Sequence, residues 1–136
     1  MEEHVLEITN PAGIYDPRPH AYSHVATVSA KDILVFVAGQ GGSRMDGILI
    51  NDFRTQVKIV FENIAIALAS KGLTMHHIAK QTTLVVAYDD EKHRILIEES
   101  TKIWPDQKFP VNTLIPVGRL ALEGMLIEID ATAVSF

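Results

Sequence analysis

The segment at residues 34–38 (LVFVA) limits the folds open to this chain, because it is apolar on both faces of a predicted strand. Successive side chains of a strand point to opposite faces, so three of these residues face one way and two face the other. A strand of this kind is typical of a sheet that is covered on both sides. The rest of the sequence predicts only two helices, which can cover one side. We therefore expect a second copy of the chain to cover the other, with a curled sheet that closes on itself as the alternative.

Apolar periodicity predicts the element order β-β-β-α-β-α-β-β, which is an α+β domain. The clearest helix is predicted over 53–70, where Asn51 or Asp52 can cap the start and Gly72 can end the last turn. The second and third strands are expected to pair as a hairpin across the turn SAKD. We expect one sheet, with both helices packed on one of its faces. The other predicted elements are strands 4–9, 23–29, 33–40, 81–88, 111–117 and 126–134, and a helix from a cap at Asp89 or Asp90 to about 103.

Composition and charge exclude several classes of protein. The 136 residues, 47% hydrophobic and 21% charged, suit a single domain spanning 1–136. A formal net charge of -5 without a basic cluster argues against a nucleic-acid partner. No apolar run approaches the roughly 20 residues that cross a bilayer, and the acidic start lacks the pattern of a signal peptide. With no cysteine, thiolate chemistry is excluded, and we expect a soluble cytoplasmic protein without a cofactor.

Polar residues interrupt the predicted strand over 111–117. The stretch FPVNTLIPVGRL places Asn112, Pro116 and Arg119 among side chains that suit the apolar face of a sheet. In one interpretation the strand belongs to the core, and Asn112 satisfies backbone groups at its edge. In the other, the segment is the wall of a pocket whose polar groups face a ligand. The residues alone leave both interpretations open.

Two other polar groups have simpler interpretations. In the last strand, Glu128 and Asp130 alternate with apolar residues and are predicted to face away from the helices, where they are solvated or lie at a subunit junction. His20 and His24 lie four residues apart near Asp16, but this proline-rich segment does not predict a helix that would align them. We therefore predict no metal site.

Five segments together resemble the YjgF/RidA family, also termed reactive-intermediate deaminases and, by an older label, L-PSP endoribonucleases. The likeness covers nearly the whole chain from about residue 22 to the end. It implies a chorismate-mutase-like fold and homotrimers whose sheets face inward, with ligand clefts between subunits. The segments, in the order in which the family has them, are YSHVATV, LVFVAGQ, ASKGLTMHHIAKQT, FPVNTLIPVGRL and IEIDATAV.

The resemblance also implies a site. Deaminases of this family hydrolyse 2-imino acids to 2-keto acids and ammonia. A tyrosine and a glutamate of their cleft correspond to Tyr22 and Glu128, which are the candidate catalytic residues here. The candidate substrate-binding residues are Gly39, Gln40, Asn112, Thr113 and Arg119.

One residue departs from the deaminase pattern. Where those enzymes read Pro-Ala-Arg-Ser, this chain reads Pro-Val-Asn-Thr at 110–113, so Asn112 replaces the arginine that grips the substrate carboxylate. A bidentate arginine–carboxylate pair is charge-assisted and about twice as strong as a neutral hydrogen bond. An amide offers donors without the charge. We therefore predict weak or no activity on 2-imino acids.

Three functions follow from these observations, each with a small molecule or an RNA as the target. The first is hydrolysis of an imine or enamine metabolite with altered specificity, and the second is binding of a metabolite by a trimer without catalysis. The third is the ribonuclease activity of the older label, which fits the acidic charge least well. Whether the protein is an enzyme is left open at this point.

Overall fold

In residues 6–135, which the computed structural model describes, the fold is α+β with two α-helices and six strands in the predicted order. Residues 4 and 5 of the predicted first strand lie outside the described residues. The strands are β1 (Glu7–Thr9), β2 (Val25–Thr27), β3 (Ile33–Gly41), β4 (Ile78–Val86), β5 (Val111–Val117) and β6 (Ile127–Ser135), and the helices are α1 (Phe53–Ala69) and α2 (Asp90–Ile103).

The strands are divided between a large and a small sheet rather than forming one. The large sheet has the order β3-β6-β4-β5, in which β4 and β5 are parallel and the other neighbours are antiparallel. The small sheet pairs β1 with β2, and a single bridge between Ser23 and Val111 connects this part of the chain to β5. A parallel pair needs a crossover connection, which α2 supplies between β4 and β5.

The predicted hairpin between the second and third strands is wrong. β2 pairs with β1, while β3 pairs with β6 at the edge of the large sheet farthest from β5. The turn itself is formed, since the Asp32 amide donates to the Ser29 carbonyl oxygen (3.1 Å) and the Ser29 amide donates to the Asp32 carboxylate (3.0 Å). Local turn chemistry reverses the chain here, but the long-range ladders decide which strands pair.

Both helices begin at predicted caps. Asp52 accepts a hydrogen bond from the Thr55 amide (2.9 Å), and Asp89 accepts one from the Lys92 amide (2.8 Å). These bonds satisfy donors that a helix leaves free at its start. Gly72, with φ of 72°, adopts the left-handed conformation just past α1. Neither helix in the described part of the chain is both long and apolar enough to cross a membrane.

The core lies between the helices and one face of the large sheet. Glu128 and Asp130 of β6 point away from this core, as their alternation predicts. The rings of Phe61 and Phe109 each meet Trp104 edge to face, at centroid distances of 6.0 and 6.4 Å. The β6 side chains buried in the core are Ile127, Ile129, Ala131 and Ala133.

The other face of the large sheet, termed the open face, is uncovered within one chain. Phe36 is 75% exposed there, Leu34 is exposed beside it, and Ile115 is exposed on β5 at the opposite edge of the sheet. On the opposite side of the same strand, Val37 is buried in the core. β3 is therefore apolar on both faces, as the sequence predicts, and the helices cover only one of them.

Candidate functional site

A cavity of about 400 Å³ lies between the helix side of β4 and β5, the helix α2 and the segment 10–22, which we term the N-terminal loop. The loop contains a short 3₁₀ turn at Arg18–His20. Apolar side chains line part of the cavity, namely Phe61, Leu96, Leu114 and Ile129. Its polar and aromatic lining comes from Tyr15, His20, Tyr22, Gln81, Thr83, Tyr88, His93, Ser100, Asn112 and Thr113.

Parallel pairing of β4 with β5 places two amide side chains side by side in the wall. Gln81 and Asn112 are register partners, so their side chains point to the same face of the sheet. Asn112 Oδ1 accepts a hydrogen bond from Thr83 Oγ1 (2.8 Å), and Asn112 Nδ2 forms no hydrogen bond within residues 6–135. The amide thus bonds a hydroxyl and faces the cavity, in line with the interpretation of this segment as a pocket wall.

Gln81 has an unsatisfied buried group. The residue is only 5% exposed, yet its Oε1 has no hydrogen-bond partner among the described residues. Buried amide oxygens are nearly always paired, because leaving one unpaired costs about 1–3 kcal/mol. The oxygen itself has almost no accessible surface, so it is enclosed by surrounding atoms rather than open to the cavity.

Hydrogen bonds within the N-terminal loop hold it beside the cavity. Arg18 donates from Nε and Nη2 to the two carboxylate oxygens of Asp16 (both 2.9 Å), and these bonds hold the pKa of the Asp16 carboxyl below its usual range. The hydroxyl groups of Tyr15 and Tyr22 are hydrogen-bonded to each other. His24 Nε2 lies 2.8 Å from the Tyr15 carbonyl oxygen. The loop therefore presents Tyr15 and Tyr22 to the cavity in fixed positions.

Aromatic rings join the loop to α2. His20 stacks on His93, with 5.2 Å between ring centroids and 9° between the ring planes, and His20 Nδ1 lies 3.3 Å from His93 Nε2. Tyr88 lies 6.1 Å from His93 between centroids. Burial raises the pKa of the Tyr88 phenol, and the nearby carboxylates of Asp90 and Asp89 add to this, so the phenol stays protonated and uncharged.

The cavity wall lacks permanently charged groups. None of the described residues that line it is Asp, Glu, Lys or Arg. In the described part of the chain, no three His, Cys, Asp or Glu side chains are grouped so that they could hold a metal ion. The cavity can therefore offer hydrogen bonds and aromatic surfaces, but no fixed counter-charge.

The remaining predicted site residues lie outside the cavity. A Cβ on Gly39 would come within 2.7 Å of the Glu128 carboxyl group, so a glycine leaves room for that side chain. Gln40 follows the bulge in β3, and its Nε2 donates to the carbonyl oxygen two residues earlier (3.1 Å). Arg119 lies past the end of β5, where its Nε donates to the carbonyl oxygen of the next residue (3.3 Å).

Two groups of predicted residues are thus separated in space. Tyr22, Asn112 and Thr113 come together at the cavity. Glu128 does not, because side-chain alternation on β6 puts it on the open face, across the sheet from Asn112. A cleft that combines Tyr22, Asn112 and Glu128 is therefore not formed within a single chain.

Sequence reasoning missed Gln81, Thr83 and Ser100. The apolar and β-branched character of residues 81–88 predicts a strand. This pattern does not indicate that the polar residues at its start line a site. The signal was available, since period-two alternation puts Gln81 and Thr83 on the same buried face as Val85. A glutamine at a core position is uncommon and points to a specific partner.

Known proteins share both the sequence pattern and the fold. The family model for endoribonuclease L-PSP matches residues 16–135. The RutC family protein YjgH of Escherichia coli (strain K12) is 33% identical over 114 residues, which is 84% of this chain and 82% of that protein. A solved structure of protein YjgH has a TM-score of 0.68 at 30% identity and covers 95% of each chain.

A second solved structure is more similar in shape. YyfB from Yersinia pestis, described as a protein of unknown function of the conserved Rid family, has a TM-score of 0.88. It is 26% identical, and the match covers 94% of this chain and 97% of YyfB. The chain therefore belongs to the endoribonuclease L-PSP family, the YjgF/RidA family that its sequence resembles.

Proposed function

We propose that the protein binds a small molecule in the cavity beside the N-terminal loop. The cavity carries this proposal, because about 400 Å³ lies within the range of roughly 300–1,000 Å³ that is usual for ligand pockets. Its lining is partly apolar with a few polar groups, and the Nδ2 of Asn112, which has no partner among the described residues, is one of them. The proposal includes a cytoplasmic location and a single RidA-like domain spanning 1–136.

The ligand is proposed to differ from a 2-imino acid. Asn112 stands where the family's deaminases carry an arginine, and no other described residue of the lining supplies a permanent cation. A carboxylate that loses its water in such a cavity stays unpaired, at a cost of several kcal/mol. We therefore expect hydrolysis of 2-imino acids to be weak or absent.

The proposal also includes assembly into a homotrimer, which the resemblance implies. Leu34, Phe36 and Ile115 leave apolar surface on the open face, and inward-facing sheets from other copies would remove it from water. Small-molecule clefts between subunits would then form at the edges of that face.

A second candidate function is hydrolysis of an imine or enamine at the open face. The observation that favours it is the space that Gly39 leaves for the Glu128 carboxyl group, on a face where another copy is expected. A carboxylate there would accept a proton from water as the water oxygen adds to the C=N carbon to give a carbinolamine. The carboxyl group would then return that proton to the nitrogen, which would leave as ammonia as the hydroxyl group loses its proton and becomes the carbonyl. Ribonuclease activity is disfavoured by the net charge of -5.

The binding proposal is tested by protein-observed NMR against a panel of uncharged and carboxylate metabolites. We expect some compounds to shift the amide signals of Gln81, Ser100 and Asn112. A panel that leaves all three unchanged would contradict it. Shifts confined to Gly39 and Glu128 would instead move the binding place to the open face.

The catalytic alternative is tested in a coupled assay, in which an amino-acid dehydratase generates the imine and keto-acid formation is followed. We expect no acceleration by the wild type. Acceleration that Glu128→Gln abolishes would establish the hydrolase. Gly39→Ala is the matched variant, since the added Cβ displaces the same carboxyl group without removing it.

A further inference from the structure

The amide pair of Gln81 and Asn112 offers hydrogen-bond donors to the cavity and no acceptor. Gln81 Nε2 and Asn112 Nδ2 have no hydrogen-bond partner among residues 6–135, and neither is enclosed in the way that Gln81 Oε1 is. The two amide oxygens are unavailable, because Gln81 Oε1 is enclosed and Asn112 Oδ1 accepts from Thr83 Oγ1. A ligand group that meets this pair must therefore be an acceptor.

The spacing of the pair suits a single carbonyl oxygen. Gln81 and Asn112 are register partners on neighbouring strands, so their side chains leave the same face of the sheet about 4.8 Å apart. A carbonyl oxygen accepts two hydrogen bonds, one along each lone pair, and two donors in those directions lie about 5 Å from each other. One carbonyl oxygen can thus accept from both amide nitrogens.

Thr83 fixes which end of the Asn112 amide faces the cavity. Its hydroxyl group donates to Asn112 Oδ1 at 2.8 Å, and the residue is only 4% exposed. An Asn112 amide that turned over would lose this bond and would present its oxygen to the ligand instead of its nitrogen. Thr83 is therefore a positioning residue for the Asn112 donor.

Charge narrows the choice of acceptor. A carboxylate oxygen could accept from the same two nitrogens, but its charge would lie against a wall in which no described residue carries a permanent positive charge. An uncharged carbonyl compound does not meet this cost. Its carbon groups would lie against the apolar side chains of Phe61, Leu96 and Ile129 in the same cavity.

We propose that Gln81 Nε2 and Asn112 Nδ2 together hold the carbonyl oxygen of an uncharged ligand, with the carbon groups of that ligand against Phe61 and Leu96. This inference rests on the proposed small-molecule function and narrows its ligand to one chemical class. It also gives the two amide nitrogens a partner that the described fold does not supply.

Three matched probes test the proposal on the full chain. Acetophenone carries an uncharged carbonyl group, α-methylstyrene has C=CH₂ in its place, and benzoate has a carboxylate on the same ring. Titration followed by NMR should show acetophenone binding at least about tenfold more tightly than either analogue, since α-methylstyrene loses two hydrogen bonds and benzoate brings an unpaired charge. Equal or tighter binding of either analogue, or no binding of acetophenone at about 10 mM, would overturn the proposal.

Two variants test the donors one at a time. Asn112→Leu and Gln81→Met each remove one amide nitrogen and keep a side chain of similar size. Each should weaken acetophenone binding at least about threefold, while α-methylstyrene, which uses neither donor, binds as it does to the wild type. Unchanged acetophenone binding by both variants would refute the assignment, and so would an equal loss for both probes, which would point to the shape of the cavity.

The positioning role of Thr83 has its own pair of variants. Thr83→Val keeps the shape of the side chain and removes the hydroxyl group, so acetophenone binding should weaken at least about threefold. Thr83→Ser keeps the hydroxyl group and should bind acetophenone as the wild type does. Equal binding by the Val and Ser variants would contradict this role.

The outcomes also separate this inference from the proposed function. If acetophenone fails to bind while other small molecules shift the NMR signals of the cavity residues, the ligand class is wrong and the binding function stands. If no small molecule of any class shifts those signals, both are wrong.

Discussion

Two buried glutamines of this chain have opposite surroundings. Gln56 is fully buried and all of its polar atoms are engaged, whereas Gln81 keeps one oxygen unpaired. Gly42 makes room for the first, since a Cβ there would lie 2.5 Å from the Gln56 Cβ. The partners of Gln56, at 2.8–2.9 Å, are the backbone groups of Ile50, Gly124 and Leu126.

Gln56→Leu should therefore lower the free energy of unfolding by about 3 kcal/mol, because three buried backbone groups lose their partner together. Urea unfolding monitored by circular dichroism measures the change. Gln81→Leu is the matched control and should lose nothing. A loss below about 1 kcal/mol for Gln56→Leu would show that the three bonds contribute little.

At the scale of elements, a buried carboxylate joins α2 to α1. Glu99 is 5% exposed and accepts hydrogen bonds from Arg54 Nη1 on α1 (2.5 Å) and from Lys102 Nζ (2.8 Å). Arg54 also pairs with Glu98 through Nη2 (2.5 Å). Since α2 carries residues of the cavity wall, including His93, this junction supports the cavity as well as the fold.

The junction predicts a specific pH dependence. Burial acts to raise the pKa of Glu99, but the hydrogen bonds from Lys102 and Arg54 outweigh it and hold that pKa below its usual range. A carboxyl with a lowered pKa stabilises the fold above its unfolded pKa, and this stability is lost as the pH falls through the folded pKa.

Glu99→Gln should accordingly be less stable than the wild type at neutral pH, by about 1–2 kcal/mol. The difference between the two proteins should shrink as the pH falls below 4.5, the ordinary pKa of a glutamate side chain. Urea unfolding of both across this range makes the comparison. A difference that does not change with pH would contradict the role given to the Glu99 carboxylate.

How much the sequence predicts also differs between elements. The caps and apolar stripes of α1 and α2 are local features of the sequence. The sequence therefore predicts both helices to within about a residue of their observed ends. The strand that pairs with β2 is not predicted correctly. The turn at 29–32 specifies only that the chain reverses, and contacts with distant strands determine which ladder forms. For the site, the resemblance makes Asn112 a candidate substrate-binding residue. Alternation indicates that Gln81 is buried, but its place beside Asn112 depends on the parallel register of β4 and β5, which no local pattern encodes.

At the scale of the whole molecule, the open face indicates whether a chain stands alone or needs other copies to cover its exposed apolar residues. Phe36 is 75% exposed on that face, in a strand whose other side is buried. Ile66, on the outer side of α1, is 70% exposed and provides a comparison of similar exposure on a surface where no partner is expected. Phe36 and Leu34 leave neighbouring apolar side chains exposed on one face of β3. Apolar sheet surface of this kind is typical of an interface, whereas single exposed apolar residues are common.

Phe36→Lys should therefore dissociate the proposed trimer, because a lysine ammonium would be buried against the sheet of another copy. Ile66→Lys should leave assembly unchanged. Sedimentation equilibrium at micromolar concentration measures both, and the wild type should have three times the mass of the chain. A monomeric wild type would remove the trimer and the intersubunit clefts from the account.

The most direct test of the central claim compares the wild type with Asn112→Arg for binding of 2-oxobutanoate, a small carboxylate, by titration calorimetry and crystal soaking. We expect the wild type to bind 2-oxobutanoate weakly or not at all. Asn112→Arg should bind it at least about tenfold more tightly, with the carboxylate in the cavity beside the new guanidinium. A wild type that holds the carboxylate in the cavity as tightly as the variant would contradict the claim that this site is built for uncharged ligands.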